Sequence, residues 1–345
     1  CCFVWSKVTY IIIAIAFLMV LIMVHEFGHF ITAKLCGVTV NEFAIGMGPT
    51  IFKKEHKGTV YSLRCIPIGG FCAMEGEDEE SDSKGAFSNK KPWQRILILI
   101  SGAVMNLLLG LVIMFVVMFS RDAQYIAVPV IDTVLEDSAA QQAGLLPGDK
   151  IVKIDNADIQ TQMELKFELT RYKGGSIDVE YIRGDEKYRT SLTPKIGEDG
   201  MYYIGFEAKT EPLDFGGRIY HAFQYTTFYG KMILVSLFDL VTGSIGAENM
   251  SGPVGIVSEI GNAAQQGIHS LLLFAALITI NLGLFNLLPF PALDGGRVFF
   301  VFVELVIRKK IPADKEGMVH FIGFALLILL MLFATWNDIT RLITK

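Results

Sequence analysis

The sequence predicts a polytopic α-helical membrane protein with four transmembrane helices, a membrane-associated β-hairpin and one inserted α+β domain. Three observations predict this class. The composition is apolar for a chain of 345 residues, with 52% hydrophobic and 19% charged residues, which is unusual for a soluble enzyme. Four stretches with few charges are long enough to cross a bilayer. A polar stretch of mixed charge lies between the second and the third of them.

The charge balance and the cysteines exclude several classes of function. The formal net charge is −5 and no basic run is longer than Arg308-Lys309-Lys310, so nucleic-acid binding is not expected. None of the five cysteines lies beyond Cys72, and no two of them form a CxxC pair. The sequence therefore predicts neither a disulfide framework nor a cysteine zinc site.

The first predicted span, Val8 to about Ile31, carries His25-Glu26-Phe27-Gly28-His29 near its exit end. Histidines four residues apart on a helix project from nearly one face, so both imidazoles can bind one metal ion. Zinc lowers the pKa of a bound water molecule to about 7, and a neighbouring carboxylate can take its proton. This spacing is typical of zinc hydrolases and predicts Glu26 as the general base. Ionisable groups within a membrane span are costly and are functional by default.

The loop that follows, residues 34 to 95, is predicted to be cytoplasmic because it is rich in lysine and arginine. The metal site then faces the cytoplasmic side. Thr59 to Met74 has strand-like stretches broken by Pro67 and Gly69-Gly70. This pattern predicts a hairpin that either dips towards the metal or stays in the cytoplasm. Glu75 to Asp82 is predicted to be a solvated acidic loop.

Ile96 to Phe119 forms the second predicted span, in which the buried amide of Asn106 is interpreted as a helix-packing residue. From Arg121 to about Phe206 the mixed composition predicts an inserted soluble domain. Its strand-like runs are Ala127 to Ile131, Lys150 to Ile154, Ile177 to Tyr181 and Tyr203 to Phe206. Ser138 to Asp149, followed by Ile151 to Asp155, resembles the helix–turn–strand signature of PDZ domains. Such domains bind extended peptides by adding a strand.

The next segment mixes aromatic and charged residues over Ile219 to Ile245, which predicts an interfacial helix rather than a span. Ser251 to Gly255 is predicted to be a stiff turn. The third span, Leu271 to Leu288, runs into a stretch with two prolines and two glycines that ends at Gly296. The helix must break there at membrane depth, which is tolerated only inside the protein or beside a water-filled cavity. Asp294 at this break is a natural third metal ligand.

A further basic cluster after Ile307 marks another cytoplasmic turn, and Met318 to Trp336 forms the fourth span. Four spans place both termini and the inserted domain outside the cell. The predicted domains are two halves of a membrane core (1–120 and 270–345), a PDZ-like domain (121–210) and an interfacial helix with a linker (211–269). Four other histidines have no ligand-like spacing and are treated as non-ligands: His56, His221, His269 and His320.

The HExxH sequence, the PDZ-like insertion and the Asn286 to Gly296 break together resemble the site-2 protease family of intramembrane zinc metalloproteases, and within it the bacterial RseP/RasP branch. The similarity covers nearly the whole chain, which has room for a single PDZ-like domain. It implies that His25, His29 and Asp294 bind one zinc ion and that Glu26 is the catalytic base. It also implies substrate-binding roles for residues of a membrane-reentrant hairpin and of the third span: Gly69, Gly70, Phe71, Asn281, Asn286, Pro289 and Pro291.

The resemblance predicts a multi-pass protease of the bacterial plasma membrane that cleaves transmembrane segments already shortened by another protease. Anti-sigma factors and remnant signal peptides are the implied substrates, and the lipid bilayer is the implied surrounding. A peptide or substrate tail is the expected partner of the PDZ-like domain. The alternative is a non-catalytic membrane adaptor with a structural metal site. Glu26 favours the enzyme, because a structural zinc site is closed by four ligands and needs no base.

Overall fold

The computed structural model describes residues 2–77, 79, 81–120, 123–197, 200–246 and 250–344. The chain divides into a membrane unit, formed by Cys1–Val117 and Ala222–Lys345, and an inserted unit, formed by Met118–His221. Asp78 and Glu80 of the predicted acidic loop, and Arg121 at the start of the predicted inserted domain, lie outside the described residues.

The described helices include four that are long and apolar enough to cross a membrane, over Ile12–Leu35, Pro92–Phe119, Ile268–Asn286 and Asp314–Arg341. The predicted four-span membrane protein is therefore confirmed. A short 3-10 turn at Phe87–Asn89 precedes the second of these helices. In chain order the helices are α1 (Cys2–Leu35), α2 (Pro92–Phe119), α3 (Ala139–Gln142), α4 (Gln162–Thr170), α5 (Phe215–Val241), α6 (Pro253–Gln266), α7 (Ile268–Asn286), α8 (Asp294–Ile307) and α9 (Ala313–Thr344).

Helix α6 begins inside the segment that the sequence predicts to be only a turn. Pro253 occupies its first position, where a proline has no helical hydrogen bond to lose. The carboxylate of Asp338, on α9, accepts a hydrogen bond from the Gly255 amide at 2.7 Å. This carboxylate satisfies a helix-start amide from a distant part of the chain. A local sequence pattern cannot reveal a cap from a distant residue. It therefore predicts the turn at Ser251 to Gly255 but not the helix α6 that begins there.

Two long strands follow α1, namely β1 (Val40–His56) and β2 (Thr59–Met74). They are joined at Lys57 and Gly58, whose φ values of 50° and 72° are left-handed, as in tight hairpin turns. The turn predicted at Pro67 and Gly69-Gly70 is therefore wrong, since β2 continues through these residues. The charged end of β1 lacks apolar alternation, so the period-2 pattern does not reveal this strand.

The paired strands bend, so that one stretch of β1 has neighbours on both sides. Glu42–Ile45 pairs with Val60–Leu63 on one side and with Gly70–Ala73 on the other. Within the described part of the chain, Gly70–Ala73 pairs with no further strand, and it is therefore an edge of the sheet. An unpaired edge offers backbone N–H and C=O groups to another extended chain.

The inserted unit is an α+β domain, as the sequence predicts. Its strands are β3 (Tyr125–Val134), β4 (Lys150–Ile154), β5 (Ala157–Asp158), β6 (Ile177–Arg183), β7 (Glu186–Leu192), β8 (Lys195–Ile196), β9 (Tyr202–Tyr203) and β10 (Phe206–Pro212). The sheet order is β10-β3-β4-β6-β7, with β5 beside β4 and β8 paired with β9. Ile131, Ile151 and Val179 from three strands form its core with Leu145 and Leu165.

The strand predicted over Tyr203–Phe206 is divided at Gly205, whose φ of 92° is left-handed. A Cβ atom at residue 205 would lie 2.2 Å from Cβ of Ser138. Ser138 itself caps α3 by accepting a hydrogen bond from the Gln141 amide. This close approach requires glycine, and the glycine conformation interrupts the strand.

Candidate metal centre

His25 and His29 lie one turn apart on α1 and are brought together within the protein. They are 7% and 6% exposed, and their ring centroids are 4.8 Å apart. The two Nε2 atoms approach to 3.2 Å. The helix therefore aims the same nitrogen of both rings at one point, as the four-residue spacing predicts.

Asp294 is the first residue of α8, and its carboxylate completes a triangle with the two histidines. Its Oδ2 atom lies 3.0 Å from Nε2 of His25 and 3.3 Å from Nε2 of His29. Tetrahedral ligands about 2.0–2.1 Å from zinc lie about 3.3 Å from one another, so this triangle has the size of one zinc site. Oδ2 is buried without a hydrogen-bond partner. A cation bound there would satisfy this oxygen.

The outer nitrogen of His29 fixes which ring nitrogen can bind a metal. Nδ1 of His29 lies 2.9 Å from the carbonyl oxygen of Ile98, on α2, and donates to it. The hydrogen therefore sits on Nδ1, and the lone pair of Nε2 faces the triangle. Metal-binding histidines use this arrangement to hold their orientation.

Asn106, also on α2, is the outer partner of His25. It is fully buried, and its amide lies 3.2 Å from Nδ1 of His25. With the amide nitrogen facing the ring, the Asn106 oxygen has no partner. Turning the amide by 180° lets this oxygen accept a hydrogen bond from Nδ1, which leaves Nε2 for the metal. From the sequence alone, Asn106 is interpreted as a helix-packing residue. Its polar amide in the middle of a membrane span is the sequence signal for its role as the outer partner of His25.

Two glycines after Asp294 allow α8 to start directly against the end of α7. A Cβ atom at residue 295 would lie 2.2 Å from the carbonyl oxygen of Leu288, and one at residue 296 would lie 2.4 Å from that of Phe290. Neither distance is possible for a real side chain, so Gly295 and Gly296 are required for the close turn.

A buried ion pair ties α8 to α2. Arg95 Nη1 lies 2.6 Å from Glu304 Oε2, and the two side chains are 9% and 10% exposed. Removing one partner of such a pair leaves an uncompensated buried charge, which is strongly destabilising. The helix that begins with Asp294 is thus anchored to the helix that carries Asn106.

Glu26 faces the edge of β2. The backbone of Cys72 lies beside its carboxylate, and a Cβ atom at Gly70 would lie 3.6 Å from its Cγ. Burial raises the pKa of the Cys72 thiol to about 12, so this side chain stays a neutral thiol at physiological pH. A sheet edge therefore passes directly beside the carboxylate that adjoins the triangle.

The geometry agrees with the comparisons with known proteins. The signature of peptidase family M50 matches residues 13–330. The chain belongs to peptidase family M50. A candidate zinc metalloprotease of Clostridium perfringens is 40% identical over 332 residues, covering 96% of this chain and 98% of that protein. The zinc metalloprotease RasP of Geobacillus kaustophilus is 31% identical over 402 residues, covering 93% of this chain and 95% of that protein.

Membership of M50 confirms the resemblance to the site-2 proteases. This M50 protein is a zinc metalloprotease, so the alternative of a non-catalytic adaptor is wrong.

Among solved structures, the PDZ domain of an SdrC-like protein from Listeria monocytogenes is 23% identical with a TM-score of 0.22, covering 23% of this chain and 84% of that one.

The other residues implied by the resemblance lie in two parts of this M50 protease. Gly69, Gly70 and Phe71 lie on β2, where the Arg64 guanidinium stands 4.7 Å from the centre of the Phe71 ring. The remaining four lie on α7 or in the turn after it: Asn281, Asn286, Pro289 and Pro291. Asn281 lines an apolar groove with residues of α5 and α6, and its side-chain oxygen is buried without a partner.

Proposed function

We propose that this M50 protease hydrolyses a peptide bond within or beside the transmembrane segment of a single-span protein that another protease has already shortened. Anti-sigma factors and remnant signal peptides are the substrate classes that the family resemblance implies. The observation that carries the proposal is the triangle of His25, His29 and Asp294, two of whose members lie on a candidate membrane span. A metal centre at such a position suits a substrate that is itself in the membrane.

In this proposal the three residues of the triangle hold zinc, which supplies Lewis-acid polarisation of a carbonyl and activation of water. Glu26 takes the proton of the attacking water and delivers it to the leaving amine. The backbone of Cys72, which lies beside the Glu26 carboxylate, helps to orient it for this transfer. The side-chain amide of Asn281 or Asn286 supports the substrate backbone or the developing oxyanion.

The edge of β2 is the proposed binding site for the substrate backbone. A transmembrane helix hides its peptide bonds in its own hydrogen-bond ladder and must unwind before cleavage, and each unsatisfied backbone group in hydrocarbon costs several kcal/mol. Gly70–Ala73 can pair with the unwound segment as an added strand. Gly69 and Gly70 permit close approach, Phe71 anchors the strand, and Pro289 and Pro291 shape the opposite side.

The proposed orientation follows from the charged loops. The lysine-rich and arginine-rich segment between α1 and α2 lies in the cytoplasm by the positive-inside rule, so the metal centre opens towards that side. The inserted unit, which we take to be PDZ-like, is then extracytoplasmic in a bacterial plasma membrane. Its proposed partner is an extended peptide, such as the tail of the substrate.

Purified protein incubated with a transmembrane substrate, with and without a zinc chelator, tests this function. We expect cleavage that the chelator abolishes and added zinc restores, with about one zinc per chain by elemental analysis. Glu26→Gln should keep the metal and lose turnover, because it removes the base but no ligand. Asp294→Ala should lose both the metal and the turnover, because it removes a proposed ligand. Turnover by Glu26→Gln, or normal zinc content in Asp294→Ala, would remove that residue from its proposed role.

A further inference from the structure

The turn between α7 and α8 ends at Asp294 and contains an unusual backbone conformation. The Phe290 amide donates to the carbonyl of Leu288 at 2.7 Å, and the Leu293 amide donates to the carbonyl of Phe290 at 3.2 Å. Ala292, two residues before Asp294, has a φ of 77°. Residues with a Cβ atom rarely adopt this left-handed conformation, so the surrounding structure must hold it in place.

The contact that holds it comes from α9. Nδ1 of His320 accepts a hydrogen bond from the Ala292 amide at 2.8 Å. The His320 side chain is 15% exposed, and its ring centroid lies 5.5 Å from that of Phe300, on α8. The imidazole therefore lies between the turn and the helix that Asp294 begins, on the wall of a pocket that Ala292 also lines.

Helix α9 also touches this turn with its backbone. A Cβ atom at Gly323 would lie 2.4 Å from Cβ of Pro291 and 2.5 Å from its carbonyl oxygen. Gly323 follows His320 by three residues, so the two share one face of α9. The same face thus meets Pro291 with a glycine contact and Ala292 with a hydrogen bond.

We propose that His320 is a positioning residue of the metal centre. It holds Ala292 in the left-handed conformation and thereby aims the Asp294 carboxylate at the two histidines of α1. The direction of a side chain at the start of a helix is set by the turn before it, so a relaxed turn carries the carboxylate out of the triangle. This inference rests on the proposed function, because it takes Asp294 as a zinc ligand. His320 itself stays outside the triangle and is not a ligand.

The test measures zinc affinity of the full-length protein in detergent by competition with a chelator. His320→Leu removes the acceptor at similar size and should weaken zinc binding by about 10–100-fold, as loss of outer partners does at other metal sites. His320→Asn places an amide oxygen at the position of Nδ1 and should bind zinc as the parent does. Leu329→Ala, at an exposed position of the same helix, is the control. Parental affinity in His320→Leu, or an equal loss in His320→Asn, would overturn the proposal.

Two further variants probe the turn itself. Glycine adopts a positive φ without strain, so adding Ala292→Gly to the His320→Leu enzyme should recover most of the lost affinity. Gly323→Ala keeps His320 but presses on Pro291, and should weaken zinc binding by about tenfold or more. Absence of recovery in the first, or unchanged affinity in the second, would contradict control of the site through this turn.

Zinc binding by Asp294→Ala, measured in parallel, distinguishes a failure of the proposed metal site from a failure of the positioning role of His320. If Asp294→Ala binds zinc like the parent, the proposed metal site itself fails. If Asp294→Ala loses zinc while His320→Leu retains parental affinity, the metal site stands and only the positioning role of His320 fails.

Discussion

Gly102 of α2 leaves no room for a side chain beside His29 of α1. A Cβ atom at residue 102 would lie 2.3 Å from Nε2 of His29 and 2.8 Å from Cε1 of His25. The backbone of α2 therefore forms one wall of the metal centre, in direct contact with both rings. This contact explains a glycine within an apolar span, where small residues let two helices approach closely.

Gly102→Ala should damage the metal centre specifically. The added methyl group must displace one of the imidazoles, so we expect zinc affinity to fall by about tenfold or more, because the ligand geometry is lost. Chelator competition measures this loss. Gly110→Ala is the matched control on the same helix, since its Cβ would meet Cγ1 of the buried Ile280 at 2.5 Å and neither histidine. That variant should lose about 1–3 kcal/mol of stability from overpacking while keeping its zinc affinity.

The side-chain oxygen of Asn106 should accept a hydrogen bond from Nδ1 of His25 and so orient that ring for zinc. We expect Asn106→Leu to weaken zinc binding by about 10–100-fold, because Nδ1 of His25 loses its outer partner. Asn106→Asp keeps an acceptor and should retain most of the affinity. Thr279→Val is the control, because the Thr279 hydroxyl donates to the backbone carbonyl of Asn106 and not to its side chain. If the Asp variant were as impaired as the Leu variant, the amide would not be an acceptor.

Ile68→Pro should slow cleavage of transmembrane substrates while zinc stays bound. Proline removes a backbone donor near the free edge of β2 and restrains the chain. Ile68→Ala, which keeps the N–H, should cleave at the parental rate, and helix-breaking residues in the substrate should accelerate cleavage by the parent. Cleavage kinetics with one transmembrane substrate measure all three. A parental rate in the proline variant with normal zinc content would eliminate strand pairing as the binding mode.

The proposed orientation predicts opposite labelling of two engineered cysteines. In a variant whose native cysteines are replaced by serine, Asn156→Cys in the inserted unit should react with a membrane-impermeant thiol reagent in intact cells. Lys84→Cys, in the loop between α1 and α2, should react only after the membrane is permeabilised. Both positions are exposed, so burial does not mask either. Labelling of Lys84→Cys alone in intact cells would invert the topology.

Local sequence patterns predict the spans and the three residues of the triangle for a physical reason. The spacing of His25 and His29 follows from helix geometry, and Asp294 lies at a helix break that membrane depth makes conspicuous. Strands of the inserted unit such as Lys150–Ile154 are visible because they are short runs rich in β-branched residues between turn-forming residues.

Features that depend on a partner far along the chain are not visible in the same way. The role of Asn106 depends on His25, and the start of α6 depends on Asp338. Strand β1 is not predicted for two reasons. Its second half is polar, and the turn that connects it to β2 lacks the usual Asn-Gly signature. For Asn106 and for α6 the deciding contact joins residues that no short window contains.

Within the triangle, His29 and Asp294 are separated by 265 residues in the sequence (294 − 29). A ribosome therefore makes α1, α2, the whole inserted unit and α7 before the third member of the triangle exists, and it makes His320 later still. The proposed zinc site therefore lacks its carboxylate ligand until synthesis has passed residue 294. A chain that terminates earlier keeps the HExxH helix without the third proposed ligand.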